Sequence, residues 1–167
     1  SFGAVTDNNT WVKLSKTTIT SSTADVTFTS SITGAFDTYD IYAVSIADLR
    51  PVTDDVTLRM RLQTASGDYS SNEYSTHVHA FTDGDHGYNG VGQFQIIRHG
   101  LGNSMTGDVV NEDWMGLYYI SGFPANKRLK IMGSGIGKNS SSSNNMTYIG
   151  GTVNEASATT GLKFFMS

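Results

Sequence analysis

The chain has 167 residues, a formal net charge of −4 and no cysteine. This length fits a single domain with a core of its own. The lack of cysteine excludes a disulfide framework, thiolate zinc ligands and a thiol nucleophile. We expect no nucleic-acid binding, because the chain is acidic and has no extended basic cluster. We expect no membrane insertion, because no run of about 18 apolar residues occurs.

Charged residues make up only 16% of the chain, below the usual share of about a quarter. Serine, threonine, asparagine and glycine fill their place. A polar surface with few charges suits a β-rich extracellular or virion protein better than a helical cytosolic enzyme.

Residues 1–10 are polar and turn-rich, and we expect an N-terminal arm or linker there. Residues 11–167 are predicted to form one domain. Its first strand is predicted over Trp11–Thr20, where the alternation is weak and typical of an outer strand. A second short strand is predicted over Ala24–Thr29.

The clearest pattern runs from Tyr39 to Leu62 and predicts two strands joined by one loop around Pro51. In the second strand, alternate residues from Val56 to Leu62 are apolar, so one face is predicted to be buried and the other wet. The wet face carries two arginines. We expect these to pair with aspartates across the strands, and the residues concerned are Arg59, Arg61, Asp40, Asp48 and Asp55.

Two glycine-rich stretches predict loops, a turn-rich one over Asp83–Gly92 and a mobile one over Gly133–Asn145. Trp114–Ser121 is almost wholly apolar and is predicted to be a central strand. The other strands are predicted over Glu73–Thr82, Gln93–His99, Arg128–Met132, Met146–Val153 and Gly161–Met166.

About ten short strands without a helical period predict an all-β fold, an antiparallel β-sandwich that is jelly-roll-like. Its large apolar residues are expected to form the core. They are Trp11, Phe28, Tyr42, Leu58, Met60, Trp114, Leu117, Tyr119, Ile131 and Phe164.

Several segments stand in a characteristic order along the chain. They are Trp11-Val12-Lys13-Leu14, Phe28-Thr29-Ser30, Tyr39-Asp40-x-Tyr42, Leu49-Arg50-Pro51-Val52-Thr53-Asp54-Asp55-Val56, Leu58-Arg59-x-Arg61-Leu62, Asn126-Lys127-Arg128 and Thr160-Gly161-Leu162-Lys163-Phe164-Phe165-Met166-Ser167. In this order they resemble a recurring β-domain of tailed-bacteriophage tail-fibre and virion structural proteins.

The resemblance implies a virion structural protein on the extracellular particle. It implies a tail-fibre or tail-associated module, a homotrimer with other virion proteins as neighbours, that contacts a host surface glycan or protein by multivalent binding. The alternatives are a head decoration or collar protein that binds only virion neighbours, and a free carbohydrate-binding module. Similar domains continue beyond Ser167 into a final strand, which is either missing here or supplied by a neighbour.

His77 and His79 are the candidate metal ligands. Residues two apart on a strand share a face, so both imidazoles can reach one ion. Some tail fibres bind a metal ion at a three-fold axis in this way, which implies an octahedral site from three such pairs. Two polar residues on a solvated face are the plainer interpretation.

The Asp83–Gly92 loop holds the candidate ligand-binding residues. Its oxygen donors could serve calcium, and an aromatic ring beside acidic and amide groups could hold a sugar. A plain hairpin loop is the alternative. The residues are Asp83, Asp85, His86, Tyr88 and Asn89.

We predict no catalytic residues and no cofactor apart from that axial metal ion. The chain has no G-x-S-x-G motif to carry a nucleophilic serine. No pattern places two carboxylates across a cleft at the spacing of a glycosidase. The sequence therefore favours a binding or structural protein over an enzyme.

Overall fold

The computed structural model describes residues 11–29, 36, 38–50, 56–71, 73–80, 84–96, 113–123, 128–138, 144–154 and 158–167. The side chains of residues 80, 84–86, 88–91, 138 and 144–145 are excepted. The predicted arm over residues 1–10 lies outside this description.

The described residues form strands and no helix. None of them therefore belongs to a helix that could cross a membrane. The strands are β1 (Asp25–Thr29), β2 (Ile41–Leu49), β3 (Leu58–Thr64), β4 (Gly67–Tyr69), β5 (Tyr74–Ala80), β6 (Gly84–Val91), β7 (Phe94–Gln95), β8 (Trp114–Ser121), β9 (Arg128–Lys138), β10 (Asn144–Asn154) and β11 (Gly161–Met166).

These strands build two antiparallel sheets. Sheet A has the order β1-β11-β3-β4, with β7 also paired to β3. Sheet B has the order β2-β8-β9-β10-β5-β6. The sheets pack face to face around one apolar core, which confirms the predicted β-sandwich.

The chain passes repeatedly from one sheet to the other. The two strands of the Tyr39–Leu62 stretch are therefore not neighbours: β2 lies at an edge of sheet B, and β3 lies inside sheet A. The alternation was interpreted correctly, since Tyr42, Leu58, Met60 and Leu62 are all buried. The expected pairing of Arg59 and Arg61 with Asp40 or Asp48 was wrong, because those aspartates belong to the β2 region. The third expected partner, Asp55, lies outside the described residues.

Tyr74 joins the two sheets through a polar contact inside the core. Its side chain is fully buried on β5, and its hydroxyl accepts a hydrogen bond from the Leu62 N–H in sheet A (3.0 Å). The same hydroxyl donates to the Tyr69 carbonyl oxygen (2.8 Å). Both the donor and the acceptor capacity of a buried phenol are thus used, as burial requires.

Trp114 and Tyr118 fill the middle of the core from β8. The indole N–H of Trp114 donates to the Tyr118 hydroxyl at 3.0 Å, and burial raises the pKa of Tyr118. The rings fit because glycines lie beneath them. A Cβ atom at Gly133 or Gly135 of the neighbouring β9, or at Gly116 of β8, would collide with Tyr118 or Trp114.

The packing of these rings over glycines explains why one loop prediction was wrong. The Gly133–Asn145 stretch was expected to be a mobile loop, but Gly133–Lys138 belongs to β9 and pairs with β8. Asn144 and Asn145 open β10. The glycines that suggested a loop are instead a close-packing device in the middle of a sheet.

The prediction of a loop over Asp83–Gly92 was also wrong, because Gly84–Val91 forms β6 and pairs with β5. Its register shifts between Tyr74 and Ser75, whose partners are Val91 and Asn89, so Gly90 is an extra residue at a bulge. Backbone pairing along a neighbouring strand here overrides the turn preferences of glycine, aspartate and asparagine.

Trp11–Thr20 does not form the predicted first strand. Leu14 packs against the core, but Trp11 and Val12 are 69% and 60% exposed. A strand here would have buried only one side chain. Two more expected core residues, Leu117 and Tyr119, project outward from β8 and are 40% and 37% exposed.

We predict that Gly135→Ala lowers the free energy of unfolding by about 1–3 kcal/mol, because the new methyl group overpacks the space that the Trp114 ring occupies. The carbonyl oxygen of Met115 would lie 2.8 Å from that methyl carbon, so the backbone of β8 would have to move. Urea denaturation followed by tryptophan fluorescence measures the change.

Gly150→Ala on β10 is the matched control. A Cβ atom there meets nothing within 4 Å. The loss of glycine from a strand should leave the unfolding free energy unchanged or raise it by up to about 1 kcal/mol. Equal effects of the two substitutions would show that the packing of Trp114 does not require a glycine at position 135.

Candidate functional site

Large apolar side chains project into solvent from the outer surface of sheet B. We call this surface the outer B face. Its large members come from β2, β8, β9 and β10. They are Ile41, Met115, Leu117, Tyr119, Met132, Ile136 and Tyr148, with exposed fractions from 37% for Tyr119 to 64% for Met132.

The strand register makes these residues contiguous. On β8 and β9, Tyr119 lies opposite Met132, and Met115 lies opposite Ile136. Residues opposite one another in an antiparallel pair lie on the same face, close enough for side-chain contact. The apolar side chains therefore form one continuous patch across the middle of the sheet.

Part of the chain that precedes β1 reaches the same patch. The ring centroids of Trp11 and Tyr119 are 6.0 Å apart, in a tilted arrangement. Trp11 still has 69% of its surface exposed, so it enlarges the apolar area instead of covering it.

The outer surface of sheet A, the outer A face, is charged. Asp68 on β4 lies at the centre of its ion-pair network. Its carboxylate is 3.2 Å from the Lys163 Nζ and 3.7 Å from the Arg61 Nη1, and it accepts a hydrogen bond from the Gln63 amide. Lys163 also pairs with Asp25 at 3.4 Å.

These contacts shift two pKa values in opposite directions. The Gln63 hydrogen bond, aided by Lys163 and Arg61, lowers the pKa of Asp68 below its ordinary value of 3.8. The hydrogen bond to Asp68 raises the pKa of Lys163. The prediction that Arg61 of β3 lies on a solvent-facing side with an acidic partner is confirmed, although that partner is Asp68.

Arg61 is also held by neutral groups. Its Nε donates to the Gly92 carbonyl oxygen at 3.1 Å, and its Nη2 donates to the Gln93 side-chain oxygen at 2.8 Å. The guanidinium carbon lies 5.0 Å from the centre of the Phe165 ring. Arg61 therefore fastens β3 to the segment before β7, which is a structural role.

His77 and His79 both project from β5 on the outer side of sheet B, as the spacing predicted. His77 is exposed and lies opposite Gly150 of β10, and His79 is half-buried and lies opposite Tyr148. The described side chains contain no group of three or more histidine, cysteine or acidic residues that could hold a metal ion. A metal site here stays a prediction.

The predicted ligand-binding residues do not share a loop tip. Asp85, His86, Tyr88 and Asn89 lie on β6, which borders the described part of sheet B. Their backbones pair in register with β5, and their side chains lie outside the described part. Asp83 lies outside it altogether.

The sequence analysis missed the outer B face. Trp114–Ser121 was correctly placed at the centre of a sheet, but its apolar character on both faces was attributed to burial alone. The signal was present, because β8 alternates two different apolar sets. One set faces the core, and the other, formed by Met115, Leu117 and Tyr119, faces outward.

Comparison with protein family models, with curated proteins and with solved structures finds no match. Inference about function therefore depends on the residues and the geometry described above.

We predict that Asp68→Asn lowers the free energy of unfolding by about 0.5–1 kcal/mol at neutral pH, the range of partly exposed ion pairs. Because the folded-state pKa of Asp68 is lowered, its contribution is present above 3.8 and is lost as the pH falls through the folded value. Urea denaturation across acidic and neutral pH should show the two proteins converging in acid.

The control is Asp40→Asn, at an exposed position next to β2. It should change the unfolding free energy by no more than about 0.5 kcal/mol at any pH. A difference between wild type and Asp68→Asn that persists unchanged in strong acid would contradict the proposed role of the carboxylate charge.

If His77 and His79 hold a shared metal ion, His79→Ala and a chelator should have the same effect. Each should remove bound zinc or nickel, as measured by metal analysis of the purified protein. Each should also lower the mass of any metal-linked oligomer, because the remaining imidazoles bind too weakly alone. Wild-type protein that retains no metal after dialysis against these ions would disprove the site.

Proposed function

We propose that this protein is a structural module of a tailed-bacteriophage particle. Its proposed position is a tail fibre or another tail-associated part, where several copies contact the host surface together. The described geometry supports this proposal through its scaffold: a β-sandwich with one charged outer face and one uncharged, apolar outer face.

The residues that carry the sequence resemblance support it as well. Tyr42 packs against Phe36 and Phe123, with ring centroids 5.3 Å and 4.7 Å away, and these two rings also stack on each other at 4.8 Å. Leu162 and Phe164 of β11 are buried and lie opposite Leu62 and Met60 of β3. These residues belong to the apolar core, so segments that carry the resemblance also help to build the scaffold.

The observation that carries the proposal is the exposed apolar area of the outer B face. Soluble monomers rarely expose large contiguous apolar patches, and those that do usually bind another protein there. A particle component that is surrounded by neighbouring subunits has a use for such a face. Multivalent display would then convert weak contacts with a cell surface into firm attachment.

The same observation favours a second candidate, a head decoration or collar protein that binds only virion neighbours. The sugar-binding alternative has lost the loop tip on which it was based, because residues 84–91 form a strand. The two virion roles differ in where the protein lies on the particle and in whether it affects attachment.

Gold-labelled antibodies against the purified chain, applied to intact tailed particles of the phage whose genome encodes it, test the location. Gold along the tail fibres or at the tail tip is the expected result. Gold on the head would favour the decoration role instead. A virion role would be refuted if the particles carry no gold and the protein is also absent from their denatured polypeptides.

An adsorption assay tests the host contact. Purified chain in excess should slow the adsorption of these particles to their host cells, because it occupies the same receptors. The charged variant Thr27→Glu, altered only on the outer A face, is the control and should compete equally. Adsorption that is unchanged by any concentration of the chain would contradict a tail-attachment role.

A further inference from the structure

We propose that the outer B face is an interface between copies of this chain, and that its occupant is the same face of a second copy. This inference does not depend on the virion assignment. It follows from the charge, shape and area of the face.

The face is uncharged over its whole centre. Three consecutive outward positions on each of four adjacent strands carry no charged residue. They are Ala43, Ser45 and Ala47 on β2, Met115, Leu117 and Tyr119 on β8, Met132, Ser134 and Ile136 on β9, and Met146, Tyr148 and Gly150 on β10.

Several charged residues of the described chain lie at the margin of this face or on the opposite surface. Exposed Arg128 and Lys130 mark one end of β9, at the margin of the face. Asp25, Asp68, Arg61 and Lys163 belong to the opposite surface of the molecule, on sheet A. A strand whose outer side is wet carries polar or charged residues there, as β3 does with Arg59 and Arg61. The outer B face has the composition of a sheet that is covered.

Charge matching identifies the occupant. A partner with charges on its contact surface would bury them against a surface with none to pair them, at a cost of several kcal/mol for each unpaired charge. The contact surface of a fitting partner is therefore itself uncharged and apolar. Another copy of the same face has each of these properties.

The shape also suits a second sheet. The large side chains alternate with small ones, since Ala43, Ser45, Ser134 and Gly150 lie among them on neighbouring strands. Alternation of large and small residues lets two sheets interdigitate at the usual spacing of about 10 Å.

The exposed area is sufficient. Five of the seven apolar residues are aliphatic, so the lower part of the range of about 150–250 Å² for aromatic side chains applies. At their observed exposure the seven then present roughly 500–600 Å². Trp11, adjacent to Tyr119, brings this close to the approximately 800 Å² that each partner contributes to a standard interface. This exceeds what most monomers leave uncovered in a single patch, which is at most about 600 Å².

Sedimentation velocity over a concentration series tests the proposal. Wild-type protein should sediment as two chains of 18.0 kDa each at high concentration and dissociate to single chains on dilution. Met132→Glu places a charge at the most exposed position of the patch, and should weaken association by at least about tenfold. Met132→Leu keeps the apolar surface and should associate like wild type.

Thr27→Glu is the matched control for the added charge. Thr27 lies opposite Lys163 on the outer A face, so a glutamate there gains a partner. This variant should retain wild-type association, and thermal unfolding by circular dichroism should confirm that all three variants are folded.

Wild-type protein that remains at the mass of one chain at every concentration would overturn the proposal, whatever else covers the face. So would a folded Met132→Glu variant that associates as strongly as wild type, because the interface would then lie elsewhere.

Discussion

Sheet B depends on one packing constraint: two large aromatic rings on β8 lie directly over glycines on β9. Trp114 and Tyr118 occupy the inner side of β8, and they fit only because Gly133 and Gly135 of β9 have no side chains in their path. The hydrogen bond between the rings satisfies the indole N–H and the phenol away from water. β8 and β9 can then pair along their length, and their outward residues are brought together as one surface.

That surface gives the molecule two unlike sides. The outer A face carries charged side chains that pair through the Asp68 network, whereas the outer B face presents apolar side chains from four strands. The sandwich buries one apolar core between its sheets, yet it leaves apolar area for contact with neighbours. We regard this asymmetry as the link between the fold and an assembly role, and the host-facing function is a proposal that builds on it.

The sequence predicted the sandwich, and six of the ten expected core residues are buried. Alternation, as at Leu58, Met60 and Leu62, reports local burial directly. It did not predict which strands are neighbours, since β2 and β3 have equally clear patterns but belong to different sheets. Glycines at 133 and 135 suggested a loop because their role depends on a ring from another strand. The outer B face was missed for the same reason, because the exposure of Met132 or Tyr148 is set by how the two sheets pack. The shared side of His77 and His79 was predicted correctly, because it depends only on their spacing along one strand.

The most direct test of the account is oxidation of methionine by hydrogen peroxide, measured by mass spectrometry on dilute and on concentrated protein. Met132 on the outer B face should be protected as concentration rises, while half-buried Met166 on β11 of sheet A serves as the internal reference. Protection of Met132 relative to Met166 at high concentration is the predicted result. A constant ratio of the two oxidation rates across the whole concentration range would contradict burial of this face between copies.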